Sequence, residues 1–243
     1  MRRHRNSPRE PQRGLNGSQP ESGGAQGRGS PKDATATTSA RLALEAAGAQ
    51  APPGNSAIVR PLGHEHALAL LERLAGQAHA RLPHALVFAG PAGVGKFHTA
   101  LWWAARLKCE AAAACGQCRD CRQIARGVHP DLIVVEREPG RHEIRIAQIT
   151  PRPKEEPPQH PPLVPALALK TVRPGPRVAI IRDAELLSFE AQSAMLKVLE
   201  EPPGWATIVL VTANPGKLLP TIRSRYQTVR VGPLGEETVA AIL

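Results

Sequence analysis

The stretch best suited to chemistry is Gly90-Pro91-Ala92-Gly93-Val94-Gly95-Lys96. Its GxxxxGK spacing, between an apolar run and a helical one, makes a nest of backbone N–H groups at a helix N-terminus. With the Lys96 ammonium, those donors suit the β- and γ-phosphates of a nucleotide. The next position should supply a Ser or Thr hydroxyl for Mg2+, but it is Phe97. The second metal-side element should be an acid that ends an apolar strand. Val178–Ile181 is followed instead by Arg182, with Asp183 behind it where such ATPases carry a water-orienting Glu. A guanidinium binds no cation, although it pairs with phosphates or with a carboxylate such as Asp183. Both Mg2+ contacts are missing together. The metal neutralises charge between the β- and γ-phosphates during hydrolysis, so the Mg2+ site is expected to be lost and hydrolysis to be very slow or absent. Binding of ATP or ADP without turnover stays open.

A second constellation is Cys109, Cys115, Cys118 and Cys121, the four cysteines of the chain, spaced C-x5-C-x2-C-x2-C. Four thiolates this close can wrap one tetrahedral Zn2+, with Gly116 making the turn between ligands. Two disulfides are the alternative, disfavoured in a reducing cytoplasm, the location expected of a chain with no secretory apolar region. Four Cys ligands leave no open position for water, so the zinc expected is structural. His129, in His129-Pro130-Asp131, reads as a turn residue rather than a competing ligand.

These groups need elements to hold them. The short apolar runs Ala85–Ala89, Leu132–Val135, Val178–Ile181, Ile208–Val211 and Val229–Val231 read as buried parallel strands, because half-exposed strands would alternate polar and apolar residues. Helices are expected at about His64–Ala78, Lys96–Lys108, Cys118–Arg126 and Ser188–Glu200. Strand–helix alternation of this kind predicts a doubly wound α/β sheet. Residues 151–165 (PRPKEEPPQHPPLVP) are too rich in proline for a continuous helix or a central strand and are expected to form an extended surface loop. Gly235–Leu243 begins a helical pattern that is cut off at Leu243.

Composition sets outer limits. Residues 1–56 are rich in Arg, Gly, Ser, Pro, Gln and Ala without apolar periodicity, and are expected to be disordered apart from a transient helix at 40–47. The net charge of +10 suits a phosphate-bearing partner, but part of it lies in this tail, which holds eight Arg and Lys against four Asp and Glu. Aromatic residues make up 3% of the chain, too few for single-strand recognition by base stacking. No run of about 18 apolar residues exists, which predicts no membrane span.

In order, the chain offers His84-Ala85 entering a strand, GPAGVGK, CGQC-x2-C, HPDL, a strand leading into DAELL, then LKVLEEPP (196–203) and TIRSRY (221–226). From about Arg60 to Leu234 this series resembles the clamp-loader ATPase group of AAA+ proteins, and within it the delta-prime type. The resemblance implies a P-loop AAA+ domain over 57–234 and the start of a lid domain at 235–243. It implies that Arg225 of Ser224-Arg225-Tyr226, in line with the family's Ser-Arg-Cys motif, reaches into a neighbouring subunit's ATP site as an arginine finger. Tyr226 departs from the usual Cys. A sensor position falls on Ala213, or with a shift of one residue on Thr212 or Asn214. The family is expected to carry a short helix where this chain has its Pro-rich stretch. The partners implied are the gamma/tau ATPase and delta subunits of DNA polymerase III, the sliding clamp and primer–template DNA. Degeneracy at Phe97 and Arg182 favours the delta-prime type over an active gamma/tau-type ATPase. A zinc-containing DNA-binding module with a vestigial P-loop is the third reading.

Overall fold

The computed structural model of the protein describes residues 58–76 and 82–242. The tail at 1–56 and the helix expected at 40–47 lie outside the described residues. The first element, α1 (Glu65–Ala75), buries Ala67, Leu68, Leu71 and Leu74, the i, i+3, i+4 stripe of an amphipathic helix. Each of the three leucines contributes about 1.5–3 kcal/mol relative to leaving it in water. Glu65 in the first turn and Arg73 in the last complement the helix dipole. The helix ends at Ala75 with Gly76 as its cap.

Five strands follow: β1 (Ala85–Ala89), β2 (Leu132–Val135), β3 (Arg177–Ile181), β4 (Ala206–Thr212) and β5 (Gln227–Arg230). They form one sheet in the order β2-β3-β4-β1-β5, and every pairing is parallel. All seven residues of β4 are buried, as a central strand covered on both faces requires. At the edge, β5 buries Val229 alone. It therefore starts at Gln227, before the apolar run expected at Val229–Val231, because an edge strand needs no apolar residue where it meets water.

Successive side chains point to opposite faces of the sheet. Leu86, Phe88, Ile180, Val209 and Val211 meet α1, α2 (Lys96–Lys108) and α3 (Arg119–Ala125) on one side. Val87, Ala179, Ile181, Ile208 and Leu210 face the other side. There they meet α4 (Ile146–Ile149), α5 (Leu163–Ala168), α6 (Phe189–Glu200) and α7 (Pro220–Arg223). A final helix, α8, covers Glu236–Ile242. The fold is a doubly wound α/β sheet. Among the described residues no helix is long and apolar enough to cross a membrane.

One expectation is corrected. The Pro-rich loop expected over 151–165 ends at Pro162, the N-cap of α5. Pro165 is the third residue of that helix, where the backbone N–H has no intrahelical partner to lose. The first half of that helix, Leu163–Pro165, lies inside the stretch expected as loop, and the helix runs on to Ala168. Because all strands are parallel, their C-terminal ends share one edge. That edge carries the loops after β1, β3 and β4, the usual place for a ligand in such sheets.

Candidate functional site

The phosphate loop leaves β1 at Gly90, where a Cβ would lie 1.9 Å from the Val231 carbonyl oxygen. Only glycine fits. Gly93 and Gly95 hold φ of 82° and 85°, the left-handed region that favours glycine. Lys96 opens α2 with its side chain buried, and Nζ donates to the Pro91 carbonyl at 2.5 Å. Burial pulls the ammonium below its ordinary range, against the fields of Glu185 and Asp183. His64 Nε2 lies 2.8 Å from the Val94 carbonyl, bracing the loop from the start of α1. A lone histidine at a helix start gives no spacing signal, so this brace is invisible in the sequence.

Phe97 and Arg182, read separately as losses, touch each other. The Arg182 guanidinium carbon sits 5.0 Å from the centroid of the Phe97 ring, within cation–π range. The same guanidinium lies 3.3 Å from a Glu136 carboxylate oxygen and 3.8 Å from one of Asp183. Asp183 itself has φ of 51°. After β4, the Ala213 N–H donates to Glu185 Oε1 at 3.1 Å. The Thr212 hydroxyl accepts from Asn214 N–H at 3.0 Å, and Asn214 Oδ1 accepts from Gly216 N–H at 3.1 Å. Both polar neighbours of Ala213 thus serve the local turn.

Arg225 follows α7 on the surface. Nη1 donates to the Thr221 carbonyl and Nη2 to Glu200 Oε1, both at 2.7 Å. Glu200 closes α6, so the pair joins two of the segments that carry the family resemblance. Tyr226 is half-buried against the core on the α6 side of the sheet, and burial raises its phenol.

The four cysteine sulfurs lie within 4.8 Å of one another, and Cys109 and Cys118 Sγ are 4.0 Å apart. Tetrahedral ligands about 2.3 Å from Zn2+ stand about 3.8 Å apart, so the thiols could hold such an ion. Backbone N–H groups of Cys115, Cys118 and Cys121 point at the sulfurs of Cys109, Cys115 and Cys118, at 3.4–3.5 Å. Burial would raise the Cys109 thiol, but donors from Cys115, Ala113 and Ala111 outweigh it and bring it down to about 6. The loop closes on Gly116 at φ 70°, as expected, and also on Ala112 and Ala114 at φ 46° and 49°. Alanine-rich sequence at 111–114 reads as helix, so these two left-handed residues were not legible.

Beneath the cysteines lies a buried polar cluster that sequence reasoning missed. Asp131 accepts from Lys108 Nζ at 2.8 Å, Arg177 Nη2 at 3.2 Å and the backbone N–H groups of Val172 and Arg173 at 2.8 Å. His129 Nδ1 accepts from Asp131 N–H at 3.0 Å, the turn role expected of it, and its Nε2 faces Asp120 at 3.4 Å. Asp120 belongs to α3, between the last two cysteines. The thiol loop and the floor of the sheet are therefore joined through side chains.

A family model described as "DNA polymerase III, delta subunit" matches residues 63–235, well over half of the chain. Relatives include a DNA polymerase III subunit delta' of Pseudomonas aeruginosa, 39% identical over 161 residues, or 65% of this chain and 45% of that one. The Bacillus subtilis subunit delta' is 34% identical over the same shares. The Escherichia coli subunit tau is 34% identical over 73% of this chain and 26% of its own. This chain spans less than half the length of these relatives. Among solved structures, a gamma subunit-related protein of Thermotoga maritima superposes with a TM-score of 0.50 at 23% identity, over 70% of this chain and 47% of that one; it supports the fold.

Proposed function

The chain belongs to the DNA polymerase III delta-subunit family, as a delta-prime-type clamp-loader subunit, and from that premise we propose that it works in DNA replication without hydrolysing ATP itself. Its AAA+ domain, over about 57–234, holds ADP or ATP at Gly90, Gly93, Gly95 and Lys96 without turnover. It supplies Arg225 to the ATP site of an adjacent gamma/tau-type subunit, in a complex that also holds a delta subunit. That complex loads the sliding clamp on primed DNA. The four cysteines bind one structural Zn2+ that fixes the segment between α2 and α3.

The observation that carries this reading is the contact between Phe97 and Arg182. An aromatic ring and a guanidinium stand where two oxygen ligands of Mg2+ belong, and neither coordinates a hard cation. Arg225 supports the trans role because its guanidinium is at the surface, tied among the described residues by a neighbouring carbonyl and an exposed carboxylate. An arginine finger stabilises charge on the transferring phosphoryl group and is worth several orders of magnitude in rate where it acts.

Reconstitution with candidate gamma/tau and delta subunits tests the proposal. Arg225→Ala is expected to lower clamp- and DNA-stimulated ATPase by at least about tenfold, and unchanged stimulation discards the finger role. The similarity to tau subunits favours one competing reading, an active gamma/tau-type ATPase. That reading requires Mg2+-dependent turnover by the purified chain at about 1 per second, an ordinary enzyme rate, where the proposal expects none.

A further inference from the structure

The contact between Phe97 and Arg182 suggests more than a loss. Lys96 is fixed by its bond to Pro91 O at the mouth of the loop. Asp183 lies close enough to act on the Lys96 ammonium and also flanks Arg182 at 3.8 Å. Glu185 acts on the same ammonium, so two acids lie near the two cations. The Phe97 ring occupies the metal-ligand side of the loop and, by holding a guanidinium against its face, fixes a positive charge on that side. Arginine is suited to this place. Its planar fork matches phosphate oxygens two at a time, and stacking on an aromatic ring restricts its motion without using its donors.

We infer that the loop is a metal-independent diphosphate site, at which Arg182, oriented by Phe97, takes the charge-neutralising place of Mg2+ beside Lys96, and that its ligand is a nucleoside diphosphate or triphosphate free of magnesium. The inference rests on the reading above that the loop holds a nucleotide, and adds which form of the nucleotide it accepts. The pairs that Arg182 makes with Glu136 and Asp183 do not bar the ligand. Arg182 and both acids are about half-exposed, and exposed pairs are weak beside a charge-assisted bond to phosphate. Mg2+ would compete with Arg182 for the same phosphate oxygens without protein ligands of its own, so chelated nucleotide should bind no better than free nucleotide, and by this argument worse.

The test is a titration of the full chain with a fluorescent ADP analogue, in EDTA and in excess magnesium, with pyrophosphate and unlabelled ADP as competitors. The expected result is binding in EDTA at least as tight as in magnesium, weakened about tenfold by Arg182→Ala, the loss of roughly one charge-assisted contact. The double variant Phe97→Thr with Arg182→Asp rebuilds two oxygen ligands and should bind only with magnesium. Equal competition by pyrophosphate places recognition on the diphosphate alone, and preference for ADP adds the nucleoside. Wild-type binding that requires magnesium, or that survives Arg182→Ala undiminished, overturns the inference and leaves the nucleotide reading standing. Binding in neither condition, with melting curves showing a folded chain, overturns both.

Discussion

Asp131 is a buried carboxylate held between the buried cations Lys108 and Arg177. Burial alone would raise its carboxyl, but the Lys108 hydrogen bond and the N–H groups of Val172 and Arg173 outweigh that and hold it below the usual range. The sign for stability follows. An unfolded aspartate titrates near about 3.9, so the contribution of Asp131 is complete above that value and lost as pH falls through the lower folded one. Asp131→Ala leaves two buried cations uncompensated and is expected to cost about 3–5 kcal/mol, read as a lower urea midpoint. By contrast, Glu200→Gln removes only the exposed partner of Arg225 and should change stability by less than about 1 kcal/mol. A small effect there, with a similarly small one for Arg225→Ala, means that loss of stimulated ATPase in the latter variant is not a folding defect.

At the scale of elements, the thiol loop depends on something outside its own chain propensities. Residues 109–118 contribute no regular element between α2 and α3, and two alanines there sit in the left-handed region, which costs L-residues about 1–2 kcal/mol each. A metal ion bound by the four sulfurs would offset that cost, since its binding free energy adds to folding. The expected result is about one zinc per chain by atomic absorption. Chelation should raise amide exchange across 109–125 while β1, β3 and β4 stay protected; unchanged exchange there would show a loop that needs no ion. Strands β1 to β4 and α2 were legible in sequence because their apolar runs and their turn residues agree, whereas the edge strand β5 has a single buried residue to mark it. The spacing of the cysteines was legible for the same reason, being local. What escaped was non-local: α5 inside a proline-rich stretch, the brace from His64 to Val94, and the meeting of Phe97 with Arg182, 85 positions later in the chain. No period or spacing encodes which side chains a parallel sheet brings to one edge.

For the molecule as a whole, that shared edge gives the close approach at Gly90 a consequence beyond its choice of amino acid. Val231 donates its N–H to Ala89 O at 2.9 Å, and its carbonyl fills the space that a side chain at position 90 would need. Val231 directly follows β5, which begins two residues after Arg225. The phosphate loop and the strand that follows Arg225 thus mesh like gear teeth through direct backbone contact. A shift of the loop on taking up a ligand has to be carried by β5 or resisted by it. Gly90→Ala inserts a tooth into that gear. It should displace β5, raise amide exchange across 227–231 and lower the melting temperature, the outcome expected of a clash at a tightly packed site. If exchange in that strand is untouched by the substitution, the loop and strand have slack after all. If the gearing holds, a displacement of the phosphate loop at one end of the sheet and a displacement of the start of β5 at the other are two readings of a single mechanical coordinate.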